Sequence, residues 1–314
     1  MTHPDLKILD CTIRDGGLMN DSYFPVDTVR AVFKAACLAG LDYVELGYRN
    51  SKEMLSPAEY GLWRFCDEKD LRSVVEGIDR GHTKIAIMQD AHKAVPEDIL
   101  PYSDSVVDLI RIATYCRDID KAVLLANNAL DKGYECTINI MAISHEESSF
   151  LDEILRKIDK LTEVDYVYLV DSYGAMNCDN VVDLIEKFKE QLGNKGIGIH
   201  FHNNQQLAFA NNWIGIKHGA VIVDGTLDGL GRAAGNCPTE LLLSSLRPGK
   251  YDIMPLLEVI KQEIIPLKKK IQWGYHIPYM ITGILNLHPK DAMKWMNSSE
   301  KDDIVKFYKQ ITGK

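Results

Sequence analysis

The chain has 314 residues, of which 46% are hydrophobic, enough to bury a large core and to fill one barrel-sized domain with an appendage. Its formal charge of −9 excludes a general nucleic-acid partner, which needs clustered Lys and Arg, and the basic run Lys268-Lys269-Lys270 reads as a solvated helix face. Seven scattered cysteines without a C-x-x-C pair read as reduced thiols of a cytoplasmic protein, and no apolar run reaches membrane-spanning length.

From the N-terminus onward, short β-rich runs alternate with helical stretches. The strands are expected at 6–11, 42–47, 84–88, 106–112, 135–141, 165–171, 197–202 and 221–225. Several are continuously apolar, as strands covered on both faces are, and Val26, Val29, Val32, Phe33 and Ala36 show the helical spacing of the segments between them. Eight such units predict parallel pairing in a closed (β/α)8 TIM barrel with its active site at the C-terminal strand ends. An open doubly wound sheet is the rival, but no G-x-G-x-x-G follows the first strand. After residue 250 the rhythm breaks: Tyr251 to Lys270 reads as helix, Trp273 to Tyr279 as a loop, and more helix follows. The expected division is a catalytic barrel over 1–249 and a C-terminal helical extension over 250–314, packed over the barrel mouth or serving a homo-oligomer interface.

Polar residues gather at the expected C-terminal strand ends. Arg14 and Asp15 follow the first strand, Glu45 and Tyr48 the second, Arg111 and Tyr115 the fourth, Asp171 and Ser172 the sixth, and Asp224 the eighth. The seventh carries His200 and His202. Side chains two apart on a strand share a face, so both imidazoles point the same way, and Asp15 completes a divalent-metal set if the strand ends meet. Two imidazoles and a carboxylate without thiolates suit Mn²⁺, Mg²⁺, Co²⁺ or Zn²⁺. A lone strand histidine is ordinarily a hydrogen-bonded core residue; the pair matched to a carboxylate argues for a metal. Gly229-Leu230-Gly231-Arg232-Ala233-Ala234-Gly235-Asn236 then offers close backbone approach at Gly231 and an amide at Asn236, or a plain turn into the next helix. Asp10, Glu45 and Asp171 also have a simpler reading, as salt-bridge partners inside the barrel.

Three motifs in this order, D-C-T-I-R-D-G-G, H-F-H-N-N and G-L-G-R-A-A-G-N, resemble the signatures of the DRE-TIM metallolyase (HMGL-like) superfamily over about residues 6 to 247. Within it, H-x-H-N-N and the stretch Arg111 to Cys116 are most similar to 4-hydroxy-2-oxovalerate (pyruvate) aldolases. The resemblance implies a divalent cation, Mn²⁺ or Mg²⁺ first and Zn²⁺ or Co²⁺ compatible, on Asp15, His200 and His202. It further implies Arg14 stabilising an enolate, with a 2-oxo acid and an aldehyde as small-molecule substrates. Glu45, Arg111, Asp171, Ser172, Gly231 and Asn236 are the expected substrate contacts. The family's alternatives are a Claisen-type condensation of an acyl-CoA with a 2-oxo acid and a catalytically silent scaffold homologue. One position departs: where the aldolases carry a histidine base four residues after the motif arginine, this chain has Leu18. Tyr48, Tyr115 and the loop residues Tyr275, His276 and Tyr279 are the expected replacements. The same change argues against the family's aldehyde dehydrogenase partner.

Overall fold

The computed structural model describes residues 6–246 and 249–313. Eight parallel strands close into one ring, in chain order. They are β1 (Lys7–Asp10), β2 (Tyr43–Tyr48), β3 (Lys84–Asp90), β4 (Leu109–Thr114), β5 (Glu135–Ile140), β6 (Tyr166–Asp171), β7 (Gly196–Phe201) and β8 (Ile222–Gly225). Ring closure pairs Leu9 with Asp224 and Asp10 with Gly225. The period-2 pleat sorts side chains to two cores. Along β4, Leu109 packs inside the barrel with Leu9, Ala86, Tyr168 and Ile222, while Ile110 and Ile112 join the larger core between strands and helices.

The helices α1 (Thr12–Gly16) and α2 (Val26–Ala39) follow β1, α3 (Glu68–Val75) follows β2, and α4 (Ile119–Asp131), α5 (Ser148–Leu161), α6 (Cys178–Gln191), α7 (Ala208–Lys217) and α8 (Thr239–Ser245) follow β4 to β8, while β3 leads to β4 through the 3-10 turns Pro96–Asp98 and Tyr102–Asp104. The barrel's N-terminal end is closed by polar pairs: the Tyr43 hydroxyl donates to Glu135 at 2.8 Å, and Lys84 and Lys7 reach Glu135 and Tyr166. Its C-terminal end stays open, so the fold directs any chemistry there.

Helices α9 (Met254–Val259) and α10 (Ile265–Lys268) are joined by a π-helical turn, Ile260–Ile264. Pro266 has no backbone N–H for the i→i−4 ladder, which accounts for the break in the expected continuous helix. Leu256, Val259, Ile264 and Trp273 lie in the barrel's own outer core, and Thr28 of α2 donates to Glu263 at 2.7 Å. A second core begins later, where Tyr279, Ile281, Ala292, Trp295 and Phe307 from α11 (Ile277–Ile284), α12 (Lys290–Met296) and α13 (Ile304–Thr312) pack with Ala233 and Ala234. By packing, then, residues 250–273 stay with the barrel. The expected loop over 273–279 ends early, because Pro278 sits in the first turn of α11, where its missing N–H costs nothing. Among the described residues no helix is long and apolar enough to cross a membrane.

Candidate active site

The chain leaves β1 directly into the one-turn α1, fully buried, which places Arg14 and Asp15 at the barrel's open end. Thr12 fixes that turn: its N–H donates to Asp10 at 3.0 Å, and its hydroxyl accepts the Leu227 N–H at 2.8 Å. His200 lies in β7; His202 falls one residue past the strand and bridges to Asn236. The two rings face the same space with centroids 5.2 Å apart, as the strand alternation requires.

These residues meet around one carboxylate oxygen. Asp15 Oδ2 lies 3.2 Å from His200 Nε2, 3.9 Å from His202 Nε2 and 3.4 Å from Arg14 Nη1. The Asn236 side-chain amide donates to the same oxygen at 2.8 Å. Gly231 makes that reach possible, since a Cβ there would stand 2.3 Å from Asn236 Nδ2. Behind His200, Nδ1 faces Asp224 at 2.9 Å, and Asp224 is tied to Arg111 at 2.6 Å. Arg111 also binds Glu45 at 2.8 Å, and Glu45 accepts from Arg14 Nε at 2.7 Å. An unbroken chain of charges therefore runs from Arg14 beneath the site to His200.

Burial opposes the charge on Asp15, but Arg14, His202 and His200 outweigh it and hold the carboxyl well below its ordinary range. Burial pushes His202 down to about 3, so its ring is neutral. For His200, burial is overcome by hydrogen bonds to Asp15 and Asp224, and its pKa rises. The site suits a cation on two grounds. Asp15 Oδ1 and Asn236 Oδ1 are buried acceptors without a donor. His200 also has the carboxylate partner behind it that orients a metal-bound imidazole. Cys11 Sγ, 4.0 Å from His200 Nδ1, is a further possible donor. However, it donates to the Gly225 carbonyl at 3.4 Å and burial raises its pKa far above normal, so it stays a neutral thiol and a poor ligand beside His202.

Above this cluster opens a cavity of about 430 Å³. Arg14, Tyr48, Tyr115, Ser172, His200 and His202 line it, as does Leu18, packed with Tyr48, Met88 and Ala113 into an apolar wall. Several expected substrate contacts require correction. Glu45 and Arg111 are fully buried in the charge chain below the cavity, and Arg111 stacks on Tyr168 at 4.4 Å. The Asp171 carboxylate is spent on the backbone N–H groups of Ala175 and Met176, each at 3.0 Å. Gly231 and Asn236 act through Asp15 rather than from the cavity wall.

The C-terminal loop also differs from expectation. Tyr275 is half exposed, His276 meets Tyr279 edge-on with centroids 5.7 Å apart, and Tyr279 is buried in the second core; none of the three lines the cavity. What the extension does contribute is His288. Asn204 donates to the Tyr279 carbonyl at 3.1 Å and Asn286 to the Ser144 carbonyl at 3.1 Å, which fastens α11 over the loops after β5 and β7. Arg64, His92, Tyr173, Arg232 and His288 are cavity residues that sequence reasoning missed. Arg232 stood inside a quoted motif; the others sit on loops with no motif or periodicity to mark them.

The family model described as HMGL-like matches residues 5–262. The 4-hydroxy-2-oxovalerate aldolase of Geobacillus thermodenitrificans (strain NG80-2) is 30% identical over 321 residues, covering 98% of this chain and 91% of that protein. The enzyme of the same name from Pelotomaculum thermopropionicum is 32% identical over 253 residues, 80% of this chain and 72% of that one. Among solved structures, the N-terminal domain of a putative aldolase from Bacteroides vulgatus is 34% identical with a TM-score of 0.83, covering 95% and 99% of the two chains. Hydroxymethylglutaryl-CoA lyase from Pseudomonas aeruginosa, 19% identical with a TM-score of 0.66 over 83% and 93%, shares the fold.

Proposed function

The chain belongs to the HMGL-like family and is an enzyme of the aldolase type, and from that premise we propose that it makes and breaks the C3–C4 bond of a 4-hydroxy-2-oxo acid, with pyruvate and an aldehyde as the two halves. One observation carries the reading: two histidine Nε2 atoms and the Asn236 amide converge on Asp15 Oδ2, with Arg14 alongside at the cavity edge. Asp15, His200 and His202 would hold a divalent ion, Mn²⁺ or Mg²⁺ by preference, which when bound supplies Lewis-acid polarisation of the substrate's carboxylate and keto oxygens.

The protein's own residues do the rest. Glu45 fixes the Arg14 guanidinium through Nε, so its charge stands ready where negative charge grows on the 2-oxo oxygen as the bond breaks. In cleavage the C4 hydroxyl loses its proton, the C3–C4 electron pair moves into the enolate, the aldehyde departs, and C3 takes up a proton. Tyr115 serves as the hydroxyl's proton partner. It lines the cavity at the end of β4, with the His92 ring at 5.9 Å and the Arg117 guanidinium over its face at 5.3 Å. Leu18, Met88, Ala113 and Met141 give the cavity a dry wall on that side.

The test is exchange of the pyruvate methyl protons for deuterium, followed by NMR, together with elemental analysis. Wild-type protein loaded with Mn²⁺ is expected to catalyse exchange, and His200→Ala and His202→Ala are expected to lose both exchange and most bound metal. Undiminished metal in both folded variants would refute the site.

A further inference from the structure

Two arginines at the cavity have no carboxylate within ion-pair distance among the described residues. Arg64 is only 7% exposed; its guanidinium lies between the rings of Tyr48 and Tyr60 at 5.0 and 4.9 Å. Among the described residues the guanidinium makes one hydrogen bond, to the Gly17 carbonyl, long at 3.4 Å, and its Nε is buried without a partner. The backbone brings it there: at Gly47, with φ +151, a Cβ would stand 2.1 Å from the Trp63 carbonyl oxygen, so the loop lies flat on β2 only because this residue is glycine. Arg232 gives Nη2 to the Ser172 carbonyl at 2.7 Å, and its Nε is likewise buried and unpartnered. The other lining cations are committed: Arg14 to Glu45 and Asp15, Arg117 to Asp118, and Lys93 to Asp90, the only carboxylate in the lining. A guanidinium held out of water without a counter-charge is costly, and a bound anion removes that cost.

Their placement separates their roles. Arg64 stacks on Tyr48 at the end of β2, and Arg232 is tied to Ser172 just past β6. In a closed ring of eight strands in chain order, β2 and β6 are opposite each other. Arg232 lines the cavity together with His200 and His202, on the side where the carboxylate of a 2-oxo acid belongs. Arg64 is across the mouth, and pyruvate has no second anion to give it. Room is available as well: about 430 Å³ lies within the about 300–1,000 Å³ usual for small-molecule sites. The compound 4-hydroxy-2-oxovalerate has nine non-hydrogen atoms.

We propose that the aldehyde half of the substrate carries its own anionic group, a carboxylate or a phosphate, held by Arg64 on the side of the mouth opposite Arg232. This rests on the pyruvate-aldolase reading above. The anion takes no part in the chemistry: enolate C3 attacks the aldehyde carbon, the carbonyl oxygen takes a proton, and no further reactant is needed. Either anion suits the planar fork of a guanidinium that lies against two tyrosine rings.

Pyruvate methyl exchange is measured first on the metal-loaded enzyme, because it reports enolate formation without any aldehyde. The kcat/KM for condensation with pyruvate is then compared for two neutral aldehydes, acetaldehyde and propanal, and two anionic ones, succinic semialdehyde and glyceraldehyde 3-phosphate. Exchange with at least about a tenfold preference for an anionic aldehyde is expected, and which of the two is used identifies carboxylate or phosphate. In Arg64→Gln that preference is expected to fall about 10- to 100-fold, the scale of one hydrogen bond to a charged group. Arg64→Lys, which keeps the charge, is expected to recover part of it. Where Arg64→Gln fails to fold, the wild-type comparison and Arg64→Lys decide. Exchange without use of either anionic aldehyde, equal or better use of the neutral pair, or an unchanged preference in folded Arg64→Gln overturns the inference. Absence of exchange overturns the aldolase reading and this inference with it.

Discussion

Asp224 Oδ2 faces His200 Nδ1 at 2.9 Å and the Arg111 guanidinium at 2.6 Å, so one buried oxygen both orients an imidazole and neutralises an arginine. Burial disfavours the ionised carboxyl, but Arg111 and His200 hold its pKa below normal, and Asp224 stays charged. Removing it does two things at once. His200 loses the partner that fixes its ring, and Arg111, fully buried, loses one of its two carboxylates.

Asp224→Ala is therefore expected to weaken divalent-metal binding about 10- to 100-fold. It should also cost about 3–5 kcal/mol of stability, the range for breaking a buried ion pair from one side. Metal titration and urea unfolding of the same preparation check the two effects. Metal affinity equal to wild type would show that His200 needs no carboxylate behind it.

Arg14 is held by Nε to Glu45 at 2.7 Å and stands 3.4 Å from Asp15 through Nη1. Lysine keeps the charge but cannot hold the same two partners, because it lacks the planar fork. Arg14→Lys is expected to lower turnover by about 10²-fold or more, the scale of losing one donor to a developing oxyanion. Metal content should stay near wild type, since the ligands are untouched. Wild-type turnover would remove Arg14 from the chemistry.

All eight strands were legible from periodicity because parallel barrel strands, covered on both faces, write continuous apolar runs. The convergence of Asp15, His200 and His202 was legible because the pleat puts the two histidines on one face and because Asp15 follows the first strand. Less legible was the direction in which the other strand-end residues point. Glu45 and Arg111 stand near the ends of the strands expected from the sequence, but β2 and β4 run on to Tyr48 and Thr114, and each residue meets an opposite charge inside the barrel below the cavity. Only the three-dimensional closure reveals that partner. Arg64 and His288 carried no signal, since loop residues enter a site through backbone path rather than through spacing.

The same geometry separates the tyrosines. Tyr115 lines the cavity, whereas Tyr275 is half exposed and, like His276, stands outside it. Tyr115→Phe is expected to reduce aldol cleavage by about 10²-fold, at the lower end for a lost acid–base group. Tyr275→Phe and His276→Ala should stay within about twofold of wild type, as surface substitutions remote from the chemistry do. Steady-state cleavage assays on the three variants check this. Full activity in Tyr115→Phe would move the proton transfer to another group of the lining.

Glu240, in the first turn of α8, accepts the Asp228 backbone N–H at 3.2 Å, and burial pushes its carboxyl up to about 7 from 4.5. Between those values the native state keeps a proton that the unfolded chain has already lost. Stability from this group therefore falls as pH rises through that window and is level above it. A shift of that size bounds the effect at about 3 kcal/mol, and partial exposure brings it to about 1–2 kcal/mol. Glutamine copies the protonated form and keeps an acceptor for the Asp228 N–H. Glu240→Gln is thus expected to exceed wild type by about 1–2 kcal/mol at pH 8, with the gap closing toward pH 5. Asp10, which burial pushes up to about 6, contributes in the same direction, and because its charge also raises Glu240 the difference between the two proteins reads Glu240 together with that coupling. Urea unfolding of the pair at pH 5, 6.5 and 8 reads it directly. A glutamine variant no more stable than wild type at pH 8 would mean that the Glu240 carboxyl ionises in the native state without penalty.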